Sequence, residues 1–180
     1  MAFNVAEFRA NMIGDGARPN LFQVSLTFPT IASNGTSASQ KTTFMAKGAQ
    51  LPGSTVGTVP LYYFGRELKF AGNRTFTDWT LQIINDEDFT IRNSIESWMN
   101  SVNSHAGNLR NRDAKSPTSY TVDATVTQYG KNGDALKEYK FVGLFPVDLA
   151  PIDLDWGSND TIEEYSVTFA YQWWEAITTN

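Results

Sequence analysis

The chain has 180 residues, an apolar content of 41% and a formal net charge of −5 at pH 7. A chain of this length forms about one domain around one core, so we expect a single domain over residues 1–180. The negative charge argues against tight binding of nucleic acid, which relies on lysine and arginine to displace counterions. Because there is no cysteine, disulfides, thiolate catalysis and cysteine-based zinc sites are excluded.

The N-terminal residues give no sign of export. No basic segment is followed there by an apolar one, so no signal peptide is predicted. No apolar run approaches the ~20 residues that a membrane-spanning helix requires. We therefore expect a protein that is assembled in a cytoplasm and is not inserted into a membrane.

A short amphipathic helix is predicted over residues 4–13. Val5, Phe8 and Met12 fall on one helical face, and Asn4 is suited to cap the first turn. Two glycines follow and favour an end to the helix at that point.

Strand-like segments follow this helix. Residues 22–28 alternate strictly between apolar and polar side chains, which predicts a half-buried strand. Residues 30–41 are small and polar and predict a flexible loop. Residues 42–49 and 56–64 again favour strands.

A β-hairpin is predicted over residues 66–84. Leu68 and Phe70 lead into a turn at residues 71–73, and Trp79 begins the apolar side of the returning strand.

The clearest helix is predicted at about residues 86–103. Ile91, Ile95 and Trp98 lie along a single apolar stripe. The carboxylates of residues 86–88 would lie at its start, where the helix macrodipole favours negative charge.

Residues 119–130 raise the question of what their polar side faces. Val122, Ala124 and Val126 point to one side of an extended strand and seek a core. The other side carries Thr121, Asp123, Thr125 and Thr127. With the strands that follow, the count is about seven strands and two helices. This predicts a mostly antiparallel fold that is either all-β with a docked helix or α+β.

The sequence contains few side-chain patterns that indicate catalysis or metal binding. The single histidine, His105, lies in a polar loop without a neighbouring nucleophile. The carboxylates of residues 86–88 are explained by the start of a helix, and Asp153 with Asp155 by a turn, although both groups could in principle bind a divalent cation. We therefore expect no catalytic residue, no cofactor and no metal. An aromatic platform built on Trp156, Trp173, Trp174 and Tyr171 stays open as a carbohydrate site.

The polar strand faces are dominated by threonine, serine and glutamine. A free sheet guards its edges with charges, especially lysine. Strand faces and edges with few charges suit sheets that join between copies of the chain or line a narrow water-filled space. The alternative is that threonine is simply a good strand former.

Five sequence blocks carry a family resemblance. They are "ARPNLFQV" (residues 17–24), "AGNRTFTDWT" (71–80), "NDE" (85–87), "GLFP" (143–146) and "LDWGSNDTIEEYSVTFA" (154–170). In this order they resemble the tail tube proteins of contractile-tailed (myovirus-type) bacteriophages. That family is similar to the Hcp tubes of type VI secretion.

The resemblance implies a mainly β fold, an antiparallel β-sandwich or β-barrel with a flanking α-helix, and a structural virion protein rather than an enzyme. It implies homohexameric rings, each subunit lending about four strands to one inner barrel, stacked into a hollow tail tube for DNA ejection. Some twenty-four strands at a spacing of about 4.8 Å give a bore of roughly 27 Å after side chains are subtracted, wide enough for duplex DNA. The implied partners are the tail sheath, baseplate, tail terminator and tape-measure proteins, with DNA held non-specifically in the lumen.

The resemblance also assigns residue roles. Arg74 and Asp78 are expected to pair within or between subunits, and Trp79 to belong to the core. Asp155 and Trp156 are expected to fix the last turn. The face of Thr121, Asp123, Thr125 and Thr127 is expected to meet the lumen or a neighbouring subunit.

Two other functions remain alternatives. The same fold could serve a phage-like injection or type VI secretion device that moves protein. A carbohydrate-binding β-sandwich would instead use the exposed tryptophans.

Overall fold

The computed structural model describes residues 4–177, apart from the side chain of Asp15. It contains four α-helices, namely α1 (Val5–Asn11), α2 (Gly35–Met45), α3 (Thr90–Val102) and α4 (Pro117–Tyr120). The nine strands are β1 (Phe22–Leu26), β2 (Ala46–Ala49), β3 (Ser54–Tyr63), β4 (Arg66–Phe76), β5 (Trp79–Ile84), β6 (Val122–Tyr129), β7 (Ala135–Leu149), β8 (Glu164–Ala170) and β9 (Trp173–Ile177). Neighbouring strands pair antiparallel throughout, so the predicted mainly β fold is confirmed, with more helices than the one flanking helix expected.

Seven strands form two packed sheets that share β7. Sheet A has the order β1-β6-β7-β9, and sheet B has the order β7-β8-β5-β2. The first part of β7 pairs with β6 and β9, and its last residues pair with β8. Gly143 lies at the change of partners with φ +67, a conformation that glycine adopts without strain. One long strand therefore links both layers of the sandwich.

The core lies between these sheets and is closed by α3. The Trp79 ring stacks on Phe141 at 4.6 Å between centroids and lies 5.7 Å from Phe169. From α3, the ring of Trp98 reaches within 6.3 Å of Phe169, and its indole N–H donates to the carbonyl of Tyr120 at 2.8 Å. Aromatic side chains thus join both sheets and the helix in one core.

The helix α3 begins four residues later than the expected start at residue 86. The Asp86 carboxylate accepts the backbone N–H of Glu87, and that of Asp88 accepts the N–H of Thr90. Phe89, between them, has φ +51 and is left-handed. These side chains hold the backbone in a turn that competes with helix formation.

Residues 30–41 are not the predicted flexible loop, because most of them belong to α2. The hydroxyls of Ser39, Thr42 and Thr43 donate to the carbonyls four residues earlier. Ala38 and Thr42 are fully buried on the side that packs against β1 and α3. Burial overrides the weak helix propensity of the segment.

The predicted hairpin turn at residues 71–73 was wrong. The turn is made by Phe64 and Gly65, both with positive φ, and β4 runs on to Phe76. Gly72 instead faces Gly57, where an added Cβ would lie 3.1 Å from the carbonyl oxygen. This glycine allows two backbones to approach closely at a bulge, whereas Gly65 makes the turn.

The N-terminal helix α1 lies within residues 4–13, the span given for it from the sequence, and is shorter than that span. The Asn4 side chain accepts the N–H groups of Ala6 and Glu7, which caps α1. No residue of α1 is buried.

The last strand has the opposite phase from the one alternation predicts. Sequence alternation places Trp173 on the core side and Trp174 on the other. A break at residues 171–172 separates β8 from β9, so Trp174 turns inward, while Trp173 is exposed.

Candidate assembly surfaces

The β3–β4 hairpin projects from the sandwich without cover. Every residue of β3 is exposed, and only Gly72 and Phe76 of β4 are half-buried. Strands of this length extend roughly 33 Å. Among the described residues the hairpin leaves these apolar side chains exposed: Val56, Val59, Leu61, Tyr62, Tyr63, Phe64, Leu68 and Phe70. An isolated two-stranded hairpin is marginally stable in water, so this arm lacks a partner surface.

The hairpin tip carries a strained aromatic residue. Phe64 has φ +46 and is 92% exposed, and its ring meets that of Tyr63 edge to face at 4.5 Å. A bulky residue with positive φ is an outlier. The backbone strain favours a functional reason for the aromatic side chain at this position.

Aromatic side chains fasten the hairpin base to the core. The Trp174 indole N–H donates to the carbonyl of Gly53 at 3.1 Å, and that of Trp79 donates to the carbonyl of Gln50 at 2.9 Å. The ring of Phe76 lies 6.1 Å from that of Tyr171. The arm is therefore anchored at one end and free along its length.

The residues of the Arg-Thr-Phe-x-Asp-Trp run lie at this base. Arg74 is exposed on β4 opposite Val56, and Asp78 is exposed just before β5. Within residues 4–177 no ion pair joins Arg74 to Asp78. Trp79 is buried. A contact of Arg74 or Asp78 between subunits stays a prediction.

The polar side of β6 lies on the outer face of sheet A. Thr125 stands between Ser25 of β1 and Lys140 of β7, and Thr127 stands between Gln23 and Glu138. Three of the four predicted residues share this face. Thr121 precedes the strand and directly follows α4, and its hydroxyl donates to the carbonyl of Pro117, the first residue of that helix.

Asp123 is tied into this face by two partners. Its carboxylate accepts the N–H of Gly143 at 3.1 Å and pairs with the ammonium of Lys140 at 2.9 Å. Partial burial alone would raise the pKa of Asp123, but these two donors outweigh it and lower the pKa. One positive and one negative charge on the face are thereby paired with each other.

Sheet B has a second polar face of the same kind. Its central strands place Thr80 opposite Thr168 and Gln82 opposite Ser166. None of these four side chains carries a charge. Both sheets therefore present hydroxyl and amide groups outward, and sheet A adds the Asp123–Lys140 pair and Glu138.

The sandwich also leaves strand edges open. The edge strands β1 and β2 do not pair with each other within the described residues. A gap of about 140 Å³ between them is lined partly by Phe22, Ala49, Leu51 and Val126. Open edges with unpaired backbone groups are templates for another strand.

The turn after β7 is stabilised by Asp155. Its carboxylate accepts the N–H of Gly157 at 3.0 Å, and its carbonyl accepts the N–H of Ser158 at 3.2 Å. The neighbouring Trp156 is fully exposed. The other tryptophans proposed for a sugar platform are engaged elsewhere: the indole of Trp173 donates to Glu175 and that of Trp174 to Gly53.

Groups suited to catalysis are not assembled in the described part of the chain. His105 is exposed in the loop after α3. The carboxylate and histidine side chains of residues 4–177 form no group of three that could hold a metal ion. None of the described helices is long and apolar enough to cross a membrane.

Sequence reasoning did not identify the hairpin as an uncovered surface. Residues 56–64 read as an ordinary strand, because nothing local states that both of its faces lack cover. The aromatic run Tyr62–Phe64 directly before Gly65 was the available signal, since a turn rarely carries three large aromatics.

Taken together, open sheet edges and an uncovered apolar arm are surfaces suited to association with another chain. Comparisons with known proteins identify the family to which the chain belongs. The model of the family described as phage tail tube protein matches residues 17–177. The chain is 34% identical over 168 residues to the tail tube protein gp19 of Enterobacteria phage T4, covering 93% of this chain and 96% of that relative. The chain belongs to the phage tail tube protein family.

Solved structures agree on the fold. A chain of the anti-feeding prophage baseplate matches with a TM-score of 0.64 at 13% identity, covering 91% of this chain and 96% of its own. A chain of the extended sheath–tube complex of the extracellular contractile injection system PVC matches with a TM-score of 0.62 at 16% identity, covering 98% and 99%. Identities this low show the fold alone.

The predicted tail tube protein of a contractile-tailed phage is thereby confirmed. It is a structural protein of the virion tail, and its curated relatives are structural tail tube proteins.

Proposed function

We propose that copies of this chain close into six-membered rings that stack into a hollow tube through which DNA leaves the phage. The observation that carries the proposal is the β3–β4 hairpin, whose apolar residues lack cover in a single copy. Covering the eight exposed apolar side chains would contribute about 1 kcal/mol or more for each one fully buried. Contact with a second copy supplies that cover.

Open edges provide the joints within a ring. Each sheet ends in strands whose outer backbone groups can pair with a neighbouring copy. Barrel closure leaves no free edge, which removes the aggregation hazard that such strands pose to a monomer.

One polar face lines the bore. The face with Asp123, Thr125 and Thr127 meets the lumen or a neighbouring subunit, and the face with Thr80 and Thr168 takes the other position. Either surface offers hydroxyls rather than free cations, so phosphates find few counter-charges to grip. DNA would pass without being held.

The outer surface and the ends of the tube meet other tail proteins. We propose a sheath around the tube, a baseplate and a terminator at its ends, and a tape-measure protein in the lumen before DNA. Support comes from the contractile assemblies that share the fold. In this scheme the tube catalyses nothing, and the contracting sheath supplies the work.

Electron microscopy of the purified protein at rising concentration tests the assembly. Hollow rods or six-membered rings are expected. A particle that stays monomeric at every concentration, even with preformed tube ends as nuclei, would refute the proposal.

A cysteine scan tests which face lines the bore, because the chain has no native cysteine. Thr125→Cys and Thr168→Cys are compared as assembled tubes. A small maleimide should label the variant whose cysteine lies in the lumen and spare the variant whose cysteine is covered by a neighbouring subunit, whereas a maleimide on a polymer wider than the bore should label neither. Labelling of both positions by the large reagent would contradict a polar-lined bore.

A further inference from the structure

The loop between β7 and β8, residues 150–163, exposes large apolar side chains. We call it the acidic loop. Leu154 and Ile162 are 82% and 71% exposed and line a shallow groove together with Asp153 and Asp155. The loop contains four carboxylates and no lysine or arginine. A groove that combines exposed leucine and isoleucine side chains with several carboxylates favours a partner with an apolar side chain flanked by cations.

The same chain carries such a segment. Residues 103–116, which we call the basic loop, follow α3. Leu109 is 71% exposed there and is followed directly by Arg110. Arg112 and Lys115 add positive charge against the single carboxylate of Asp113.

The two loops lie at opposite ends of α3. In its first turn, Arg92 donates to the carbonyl of Ala150 at 3.2 Å, where the acidic loop begins. At its other end, the carbonyl of Ser101 accepts the N–H of Asn111 in the basic loop at 3.0 Å. A helix of 13 residues separates the two ends by roughly 20 Å. One copy therefore cannot join its own loops, but two copies in the same orientation can.

We propose that the acidic loop of one copy docks onto the basic loop of a second copy in a head-to-tail contact of the tube. Leu109 enters the groove of Leu154 and Ile162, and Arg112 and Lys115 face the carboxylates. A contact between two different surfaces of the same chain is heterologous and propagates into rings or open filaments. The proposal rests on the proposed function and adds the pairing of these loops.

Charge reversal tests the pairing. Asp153→Lys with Asp160→Lys reverses the acidic loop, and Arg112→Glu with Lys115→Glu reverses the basic loop. None of these four side chains has a hydrogen bond or ion pair within residues 4–177, so folding should be retained. Arg110 is spared because its guanidinium lies over the Tyr120 ring at 5.2 Å.

A swapped chain with all four substitutions is the matched control. The first pair changes the charge by +4 and the second by −4, so the swapped chain keeps the native −5. Each single reversal should raise the concentration needed for assembly at least about tenfold, because like charges then face each other. The swapped chain should assemble at close to the native concentration.

A mixture of the two singly reversed proteins gives a second readout. Copies of the two kinds can alternate so that every contact joins loops of opposite charge. The mixture should therefore assemble where each protein alone does not. Circular dichroism verifies that all variants are folded.

The outcomes separate the two proposals. If the native chain forms tubes and the single reversals form them equally well, the loop pairing is overturned while the tube function stands. If the reversals block assembly but neither the swapped chain nor the mixture restores it, the pairing is also overturned. A native chain that never assembles overturns the proposed function itself.

Discussion

Gly143 is the residue on which the passage of β7 between the two sheets depends, and Gly143→Ala should destabilise the fold. Its φ of +67 costs an L-residue about 1 kcal/mol. An added Cβ would lie 2.9 Å from Cγ of Gln172, closer than such atoms normally approach. Because Gln172 is exposed, its side chain can rotate away at about 1 kcal/mol. The expected loss is thus about 2 kcal/mol.

Thermal unfolding of the unassembled protein measures this loss. For a chain of this size, about 2 kcal/mol lowers the melting temperature by roughly 4–8 °C. Gly143→Ala with Gln172→Ala should recover the contact part and leave the φ part. Gly53→Ala serves as the control, because Gly53 has no positive φ and an added Cβ there meets nothing within 4 Å. A Gly143→Ala protein that melts at the same temperature as the native protein would refute the role of Gly143 in the passage of β7 between the sheets.

Three further predictions concern the acid response, the core and the hairpin tip. The Lys41 ammonium and the Thr90 N–H lower the pKa of Asp88 to about 2 from 3.8, so these contacts stabilise the fold above pH 3.8 and the stabilisation is lost as the pH falls towards 2. The melting temperature should therefore drop over that pH window in the native chain and drop less in Asp88→Asn. Equal drops in both proteins would contradict the linkage. Trp98→Phe should cost about 2 kcal/mol in urea denaturation, because it leaves the Tyr120 carbonyl without its donor, while the exposed Trp156→Phe should change stability by less than about 0.5 kcal/mol. Phe64→Asn should leave the melting temperature unchanged or raise it, since Asn-Gly suits a turn with two positive φ values. It should nevertheless weaken assembly measured by sedimentation. Unchanged assembly would show that the aromatic ring of Phe64 is dispensable.

Strand alternation predicted the core well in strands that have one buried face and one exposed face. Trp79, Leu81 and Ile83 are buried as their spacing indicates, and so are Ala124 and Val126. The segment of α2 could not be predicted, because its helix depends on burying Ala38 and Thr42 against elements distant in sequence. Local propensity carries no record of that contact.

Glycine misled the prediction of the hairpin turn. A turn and a close backbone approach both select glycine, and the sequence does not distinguish them. Gly65 supplies the positive φ, whereas Gly72 supplies space opposite Gly57. The assembly surfaces were predictable only in part for a similar reason. Alternation identified the polar side of β6, but it cannot show that neither face of the hairpin is covered.

The local rules of protein structure are satisfied in the core of this protein and violated on its surface. The core is closed by stacked aromatics and by indole N–H groups with carbonyl partners. On the surface, Phe64 keeps a strained backbone, α1 buries none of its apolar stripe, and Trp156 is fully exposed. Natural sequences tend to be consistent across levels, and exceptions concentrate where function requires them. Because exposed apolar side chains disfavour an isolated copy and cover by a second copy removes them from water, we expect the free energy minimum of this sequence to lie in the proposed tube rather than in the single subunit.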